Sequence, residues 1–498
     1  MILNKRFYLP VSVFVSGVLL LTYGFSHPRF VGNFVNSDEL LPADWTRHIF
    51  HDGYPPFGFQ LPRTPGIFPD LLLFSPIQIV TGSWRIAIFG LAICLLVALI
   101  GAAGMIVGRI SGIPASRAIA SCWIIVFPLL AVELAHSGAG RHFNAIQPVS
   151  HGGVFIVSLW AAVLSERLRR AFENDLAGLL CVLCGLAVLS DKLFIFTFAI
   201  PLSCALFSVP VKGPVRLRLL LPVALGSALG WLCAEPINRQ ADIPLDWSFV
   251  ADRIGIFLRD IDVSILLGTF APVLLLVAAP VVARRFLSGL FPGDAVRFYW
   301  VFAVAAIAGT TGLTAAFLYD DRGSYRYLDT AIWWPTIFAA ALLAALLERR
   351  PSLTAALSSA IPAVSVAMVL YSGVAPADSL WRWQHPVARC LLERDIELRN
   401  GLAGYWQARP IEVSSDFRLQ VDQLQRNGEI YHWGNDLASY AAGHVDRWRP
   451  PDYRFIVMDS LDPAAIASRF GKPAEVLACA GTEVWVYGER LVPTLSRR

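Results

Sequence analysis

Residues able to do chemistry crowd positions 36–84. This stretch opens with Asp38 and Glu39 side by side and continues through Asp44, His48, His51, Asp52, Arg63 and Asp70, interleaved with prolines. A carboxylate here can take a proton from an attacking hydroxyl or help hold a cation. His48 and His51 fall about one turn apart if the segment is helical, a metal-ligand spacing that still needs a third donor. Other polar residues gather in four further segments. These hold Glu133, His136, Arg141, His142, Asn144 and His151; the pair Asp191-Lys192; Arg239, Asp242, Asp246, Asp252, Arg253 and Arg259; and Arg322, Tyr325, Arg326 and Asp329. Lys192 is the hardest to explain structurally, because an ionised lysine between two short apolar runs is costly at membrane depth unless it lines a polar cavity. Each group also has a plainer reading. Asp38 suits a helix start, Asp191-Lys192 a self-paired turn, and the arginines near 322 a loop ion network.

The elements that must position these residues are apolar. Of 498 residues, 56% are hydrophobic and 16% charged, and the mean hydropathy is +0.56. That composition describes a polytopic membrane protein rather than a soluble domain. About eleven runs approach the ~20 residues needed to cross the hydrocarbon core. They lie near 7–25, 84–107, 118–135, 150–165, 176–190, 193–209, 217–234, 263–283, 297–318, 330–347 and 353–371. The first is read as a retained span rather than a cleaved signal, and the short pair 176–190 and 193–209 as two half-depth helices. Positions 37–52 read as a surface helix started by Ser37, with Leu41, Trp45 and Ile49 on one face. The proline-rich part that follows should be rigid and irregular, and 71–81 an interfacial or re-entrant helix.

Arginines and lysines fall in one alternating set of loops, which makes that set cytoplasmic. The opposite set, with the acidic and histidine residues and everything after Tyr371, faces outward. A net charge of +4 spread over short loops calls for no nucleic-acid partner. Beyond position 372 the composition becomes that of a soluble domain. Strands are expected at 411–413, 429–433, 453–458 and 483–487, helices at 416–426, 436–442 and 463–470, and turns at Asn427-Gly428 and Gly434-Asn435, which together suggest a small α/β domain. Cys390 and Cys479 in this tail could pair in an oxidising compartment. Cys181 and Cys184, inside an apolar run, read as packing.

One span, an outward loop opening on Asp38-Glu39, a return through many spans and an exported tail together resemble the GT-C superfamily of integral-membrane glycosyltransferases. The resemblance covers the architecture, with residues 1–371 as the transmembrane catalytic part, its acidic motif in the loop 26–83, and 372–498 as the exported domain. It implies an inverting transfer of a sugar from a polyprenyl-phosphate donor to a glycan, lipid or protein acceptor, at the outer face of a bacterial inner membrane with the N-terminus cytoplasmic. It further implies Asp38 as base, with Glu39 as second choice. Lys192, Arg141, Arg322 and Arg326 are the cations available to the donor phosphate. His51, Asp52, His142, His151 and Tyr325 are candidates for substrate or metal contacts, and a divalent ion, magnesium or manganese, serves some branches of the superfamily. The chain departs from the branches in which arginine and tyrosine follow the acidic pair, since Leu40-Leu41-Pro42 stand here. Tyr405-Trp406 and Tyr431-His432-Trp433 could stack on a sugar acceptor or fill a core. Two other classes compete: a transporter or flippase for a lipid-linked saccharide, and a non-catalytic envelope assembly protein. A transporter would place its polar residues within broken spans and show internal repeats, and neither is visible in the sequence.

Overall fold

The computed structural model describes residues 5–53, 59–62, 64–136, 141–149, 151–238, 247–286, 293–319, 322–348, 350–371, 379–394, 398–431, 433–437, 440 and 451–494. Every apolar run expected from the sequence lies on a helix. Five of these helices are long and apolar enough to cross a membrane: Trp84–Ser111, Ala115–Leu134, Gly213–Pro236, Asp294–Leu318 and Ser324–Leu347. Shorter apolar helices include Val11–Gly24, Ile67–Thr81, Asn174–Ser190, Ile195–Ser208 and Leu266–Ala278. The expected eleven spans are therefore five full-length apolar helices and a set of shorter helices among the described residues. Small residues set the closest packing. A side chain on Gly226 or Gly230 of helix Gly213–Asn238 would collide with the Cys181 or Gly185 carbonyl of helix Asn174–Ser190, so both backbones approach closely.

At one end of this bundle, Glu166 is fully buried and pairs with Arg109 at 3.7 Å, Arg169 at 3.5 Å and Arg170. Arg169 lies 3.8 Å from Asp294, and Arg117 bridges to Glu348 at 2.7 Å. The chain reversals that carry arginine thus meet one another. His151 and its partner Asp191 lie toward the opposite end, since His151 and Arg170 stand at the two termini of helix Gly152–Arg170.

Residues 400–491 form a five-stranded sheet in the order 420–424, 400–404, 453–457, 482–491, 475–479. The strand at 400–404 runs parallel to both of its neighbours, and the remaining pairings are antiparallel. Helix Tyr405–Ser414 is the crossover between the first two strands in sequence, as a parallel pairing requires. The expected strands at 453–458 and 483–487, the helix at 463–470, and the two turns appear, with Gly428 and Gly434 at φ 79° and 60°.

Several local expectations fail. Ile411–Val413, read as a strand for its β-branched residues, is helical because the crossover needs a helix there. Positions 416–426 form no helix. Asp416 and Phe417 take φ of 55° and 58°, which breaks a helix at its start, and Gln420–Leu424 is a fully buried strand. At 429–433 the described residues form no strand beyond a bridge from Ile430 to Leu424. The helix expected at 436–442 is not what Asp436 forms: Asn435–Asp436 is a strand paired antiparallel with Phe59–Gln60 of the first loop, and positions 438–439 and 441–442 lie outside the described residues. Cys390 and Cys479 form the disulfide, with Cα atoms 5.6 Å apart, and tie helix Pro386–Glu393 to the strand Glu475–Cys479.

Candidate functional site at the loop–tail junction

The first polar loop folds as a tight turn over 37–40, then helix Leu41–Thr46 and a wider helical turn Arg47–His51. Ser37 does not start the helix. The Asn36 side chain instead accepts from the backbone N–H groups of Asp38 at 2.9 Å and Glu39 at 3.3 Å, the local bond that asparagine makes in turns. Ser37 donates to the Tyr405 carbonyl.

One face of the crossover helix is keyed to this loop. The Tyr405 hydroxyl donates to Asp38 Oδ1. One turn on, Arg409 Nε donates to Asp44 Oδ2 at 2.8 Å, while its other nitrogens reach the carbonyls of Ser37 and Gly434. Another turn on, Glu412 Oε1 lies 4.0 Å from His48 Nε2. Positions 405, 409 and 412 share a face because helical neighbours recur every three or four residues. Below them, Asp416 accepts from Trp84 Nε1 at 3.0 Å and Arg85 at 2.5 Å, which binds the tail to the head of helix Trp84–Ser111.

Asp38 is partly accessible, its side chain 24% exposed. Its Oδ2 accepts from Arg326 Nη1 at 3.2 Å. Glu39 points the other way. It is buried, its Oε2 has no hydrogen-bond partner among the described residues, and burial followed by the Asp38 charge pushes its pKa from 4.5 to about 8. A carboxyl whose neutral form is favoured by burial thus sits beside one that is ion-paired to Arg326. Tyr405 is also held well above the usual tyrosine range, first by burial and then by the Asp38 charge, so it stays a donor.

Tyr405 also walls a cleft of about 240 Å³ together with Trp406, Arg426, Tyr431, Trp433 and Ser460. Its ring lies nearly parallel to that of Trp433, 11° between planes at 6.2 Å, and 5.0 Å from Tyr431. Trp406 is 54% and Trp433 38% exposed. These aromatics form an open wall rather than a core; His432 lies outside the described residues.

A second polar group adjoins Arg326. Its guanidinium lies 5.5 Å from the Tyr327 ring, and that ring is 4.5 Å from His151. His151 Nδ1 is 2.5 Å from Asp191 Oδ2. Asp70, buried nearby, accepts from the Val149 N–H at 2.8 Å.

The other candidates scatter. Lys192 faces Glu235 at 3.8 Å and lies 4.3 Å over the Trp231 ring, so Arg326 is the cation at Asp38 among the described residues. His142 pairs with Glu133 at 2.6 Å. His51 is 66% exposed beside Asp52, which Arg47 also holds at 3.2 Å. Tyr325 packs against Tyr319 and Phe257, as a core residue does. The side chains of Arg141 and Arg322 lie outside the described set, as do residues Arg63, Asp242 and Asp246. Asp38 is a poor ligand for a divalent ion, because a tyrosine hydroxyl and a guanidinium already occupy its two oxygens. Tyr405, Arg409 and Glu412 are the site residues the sequence did not assign to the loop. Their spacing of four and three was readable, but what they face was not.

The fold and site define a largely helical chain with membrane-length apolar helices, whose first polar loop is clasped by a C-terminal α/β layer. Comparison with known proteins gives no match to a family model and none to a curated sequence.

Proposed function

We propose that the chain is an inverting glycosyltransferase of GT-C type that moves a sugar from a polyprenyl-phosphate donor to a glycan, lipid or protein acceptor. On this reading the helices span a bacterial inner membrane about eleven times, with the shorter ones included and 1–371 as the catalytic part. The arginine-rich end is cytoplasmic, and the loop and the tail 372–498 face outward. The observation that carries the proposal is Asp38, a partly exposed carboxylate gripped by Arg326 on one oxygen and by Tyr405 on the other.

Arg326 and Tyr405 each connect Asp38 to what a transferase needs. Among the described residues Arg326 Nε is buried with no hydrogen-bond acceptor, and the guanidinium suits a departing phosphate oxygen. Tyr405 belongs to the aromatic cleft, whose exposed rings suit the apolar faces of a sugar acceptor. In the reaction an acceptor hydroxyl gives its proton to Asp38 as its oxygen attacks the anomeric carbon. The bond to phosphate breaks with inversion, and polyprenyl phosphate leaves with the electron pair.

The test is incorporation of radiolabelled sugar from a panel of polyprenyl-phosphate donors into membrane glycans, comparing wild type with Asp38→Asn at matched protein level. The proposal expects one donor to label and the variant to lose at least about a hundredfold in rate. Equal labelling by Asp38→Asn would remove the base assignment. A chain that moves a lipid-linked saccharide across vesicles without transferring it would make it a flippase.

A further inference from the structure

We infer that Asp44, His48 and Glu412 form a buried site for a divalent transition metal, with zinc the best fit, that clamps the C-terminal layer onto the first loop. The site does not rest on the sugar-transfer reading. Asp44 and His48 lie four residues apart on one face of the loop helix and its continuation, and Glu412 comes from the crossover helix 364 positions later. All three are at least nine-tenths buried. His48 Nε2 lies 3.3 Å from Asp44 Oδ1 and 4.0 Å from Glu412 Oε1, and all three donor atoms fall within 4.8 Å of one another.

The spacing suits a shared cation better than direct hydrogen bonds. Tetrahedral zinc with bonds of ~2.1 Å places its ligand atoms about 3.4 Å apart. A hydrogen bond needs about 3 Å and an aligned donor. Among the described residues Asp44 Oδ1 makes no hydrogen bond although it is buried, and it lies within 4.8 Å of the other two donors. Its second oxygen is held by Arg409 at 2.8 Å, which fixes the carboxylate as a one-oxygen ligand, the role outer partners play at metal sites.

Charge points the same way. Two carboxylate donors converge on His48 in a dry site, which favours a cation between them. One imidazole and two carboxylate donors form a borderline set that suits zinc better than magnesium. The clamp lies two turns from Tyr405 on the same helix, so closing it also seats the Tyr405 hydroxyl on Asp38. The competing explanation for the same geometry is an imidazolium of His48 shared between the two carboxylates.

The experiment uses the full chain, purified in detergent through a non-histidine tag after growth with zinc. Metal content is measured by mass spectrometry, and thermal unfolding is followed with and without a chelator. About one zinc per chain is expected, with a melting temperature that falls on chelation and recovers on zinc addition. His48→Gln should lose the metal and the chelator response together. Because that variant could misfold, His48→Cys supplies a second reading. It should retain metal and, loaded with cobalt, show a thiolate-to-cobalt charge-transfer band that wild type lacks. Less than about a tenth of an equivalent of any transition metal in wild type, with no chelator effect, would overturn the site. A rise in melting temperature on acidification through the histidine range that persists without metal and is lost in His48→Gln would instead assign the contact to a protonated His48.

Discussion

Glu39→Gln gives the sharpest test of the electrostatics beside Asp38. The substitution keeps the shape of the side chain and removes its charge for good. In the folded chain Glu39 has a pKa of about 8 against an ordinary 4.5, so folding takes up a proton wherever the pH lies between these values. The sign follows from linkage. The folded state binds more protons than the unfolded one in this window, so stability falls as pH rises from about 4.5 to about 8. At pH 7 the wild type forgoes the 2.5 pH units between 4.5 and 7, about 3 kcal/mol at 1.36 kcal/mol per unit. Glu39→Gln should therefore raise stability at pH 7 by about that much, and by little at pH 4.5. Thermal or urea unfolding of the purified chain at half-unit steps from pH 5 to 8.5 reads both curves. The wild type should lose stability across the series relative to the variant, and the gap should close toward low pH. Parallel curves would show that Glu39 is ionised in the folded state, and the assignment of a neutral acid next to Asp38 would fail.

Two further effects follow from the tail. Burial lowers the His385 pKa from 6.5 to about 4, and its neutral Nδ1 accepts from Val387 N–H at the start of helix Pro386–Glu393. The unfolded chain binds the extra proton, so this contribution is intact above pH 6.5 and lost toward pH 4, up to about 3 kcal/mol. Hydrogen exchange over 386–393 should accelerate across that range in wild type and lose this pH step in His385→Asn, which keeps a capping acceptor; an unchanged step would refute it. Replacing Cys390 and Cys479 by serine opens a loop with a sequence separation of 89, worth about 4 to 5 kcal/mol on the chain-entropy account. The double variant should be cut by protease in the tail at lower denaturant than oxidised wild type, and should match reduced wild type. Equal cleavage of all three would remove the disulfide from the stability of this layer.

The sequence alone determined the helical architecture. Apolar runs of span length leave the backbone no other way to satisfy its hydrogen bonds, so each expected run lies on a helix, and among the described residues five of these helices are long and apolar enough to cross a membrane. It also marked Asp38-Glu39 as the acidic pair, and the regular parts of the tail at 453–457 and 463–470, where periodicity and capping agree. Local pattern failed at 411–413 and 416–426. There the pairing of 420–424 with 400–404 and the bonds of Asp416 to Trp84 and Arg85 overrode intrinsic preference. Only the tertiary structure decided what faces Asp38. Lys192 looked the best phosphate ligand because it was costly to explain alone, but it stacks on Trp231 beside Glu235. Arg326 and Tyr405, hundreds of positions from Asp38, make the contact. Spacing along a chain fixes which residues share a helix face; which distant face meets it depends on how strands, loops and helices pack, and no local window contains that information.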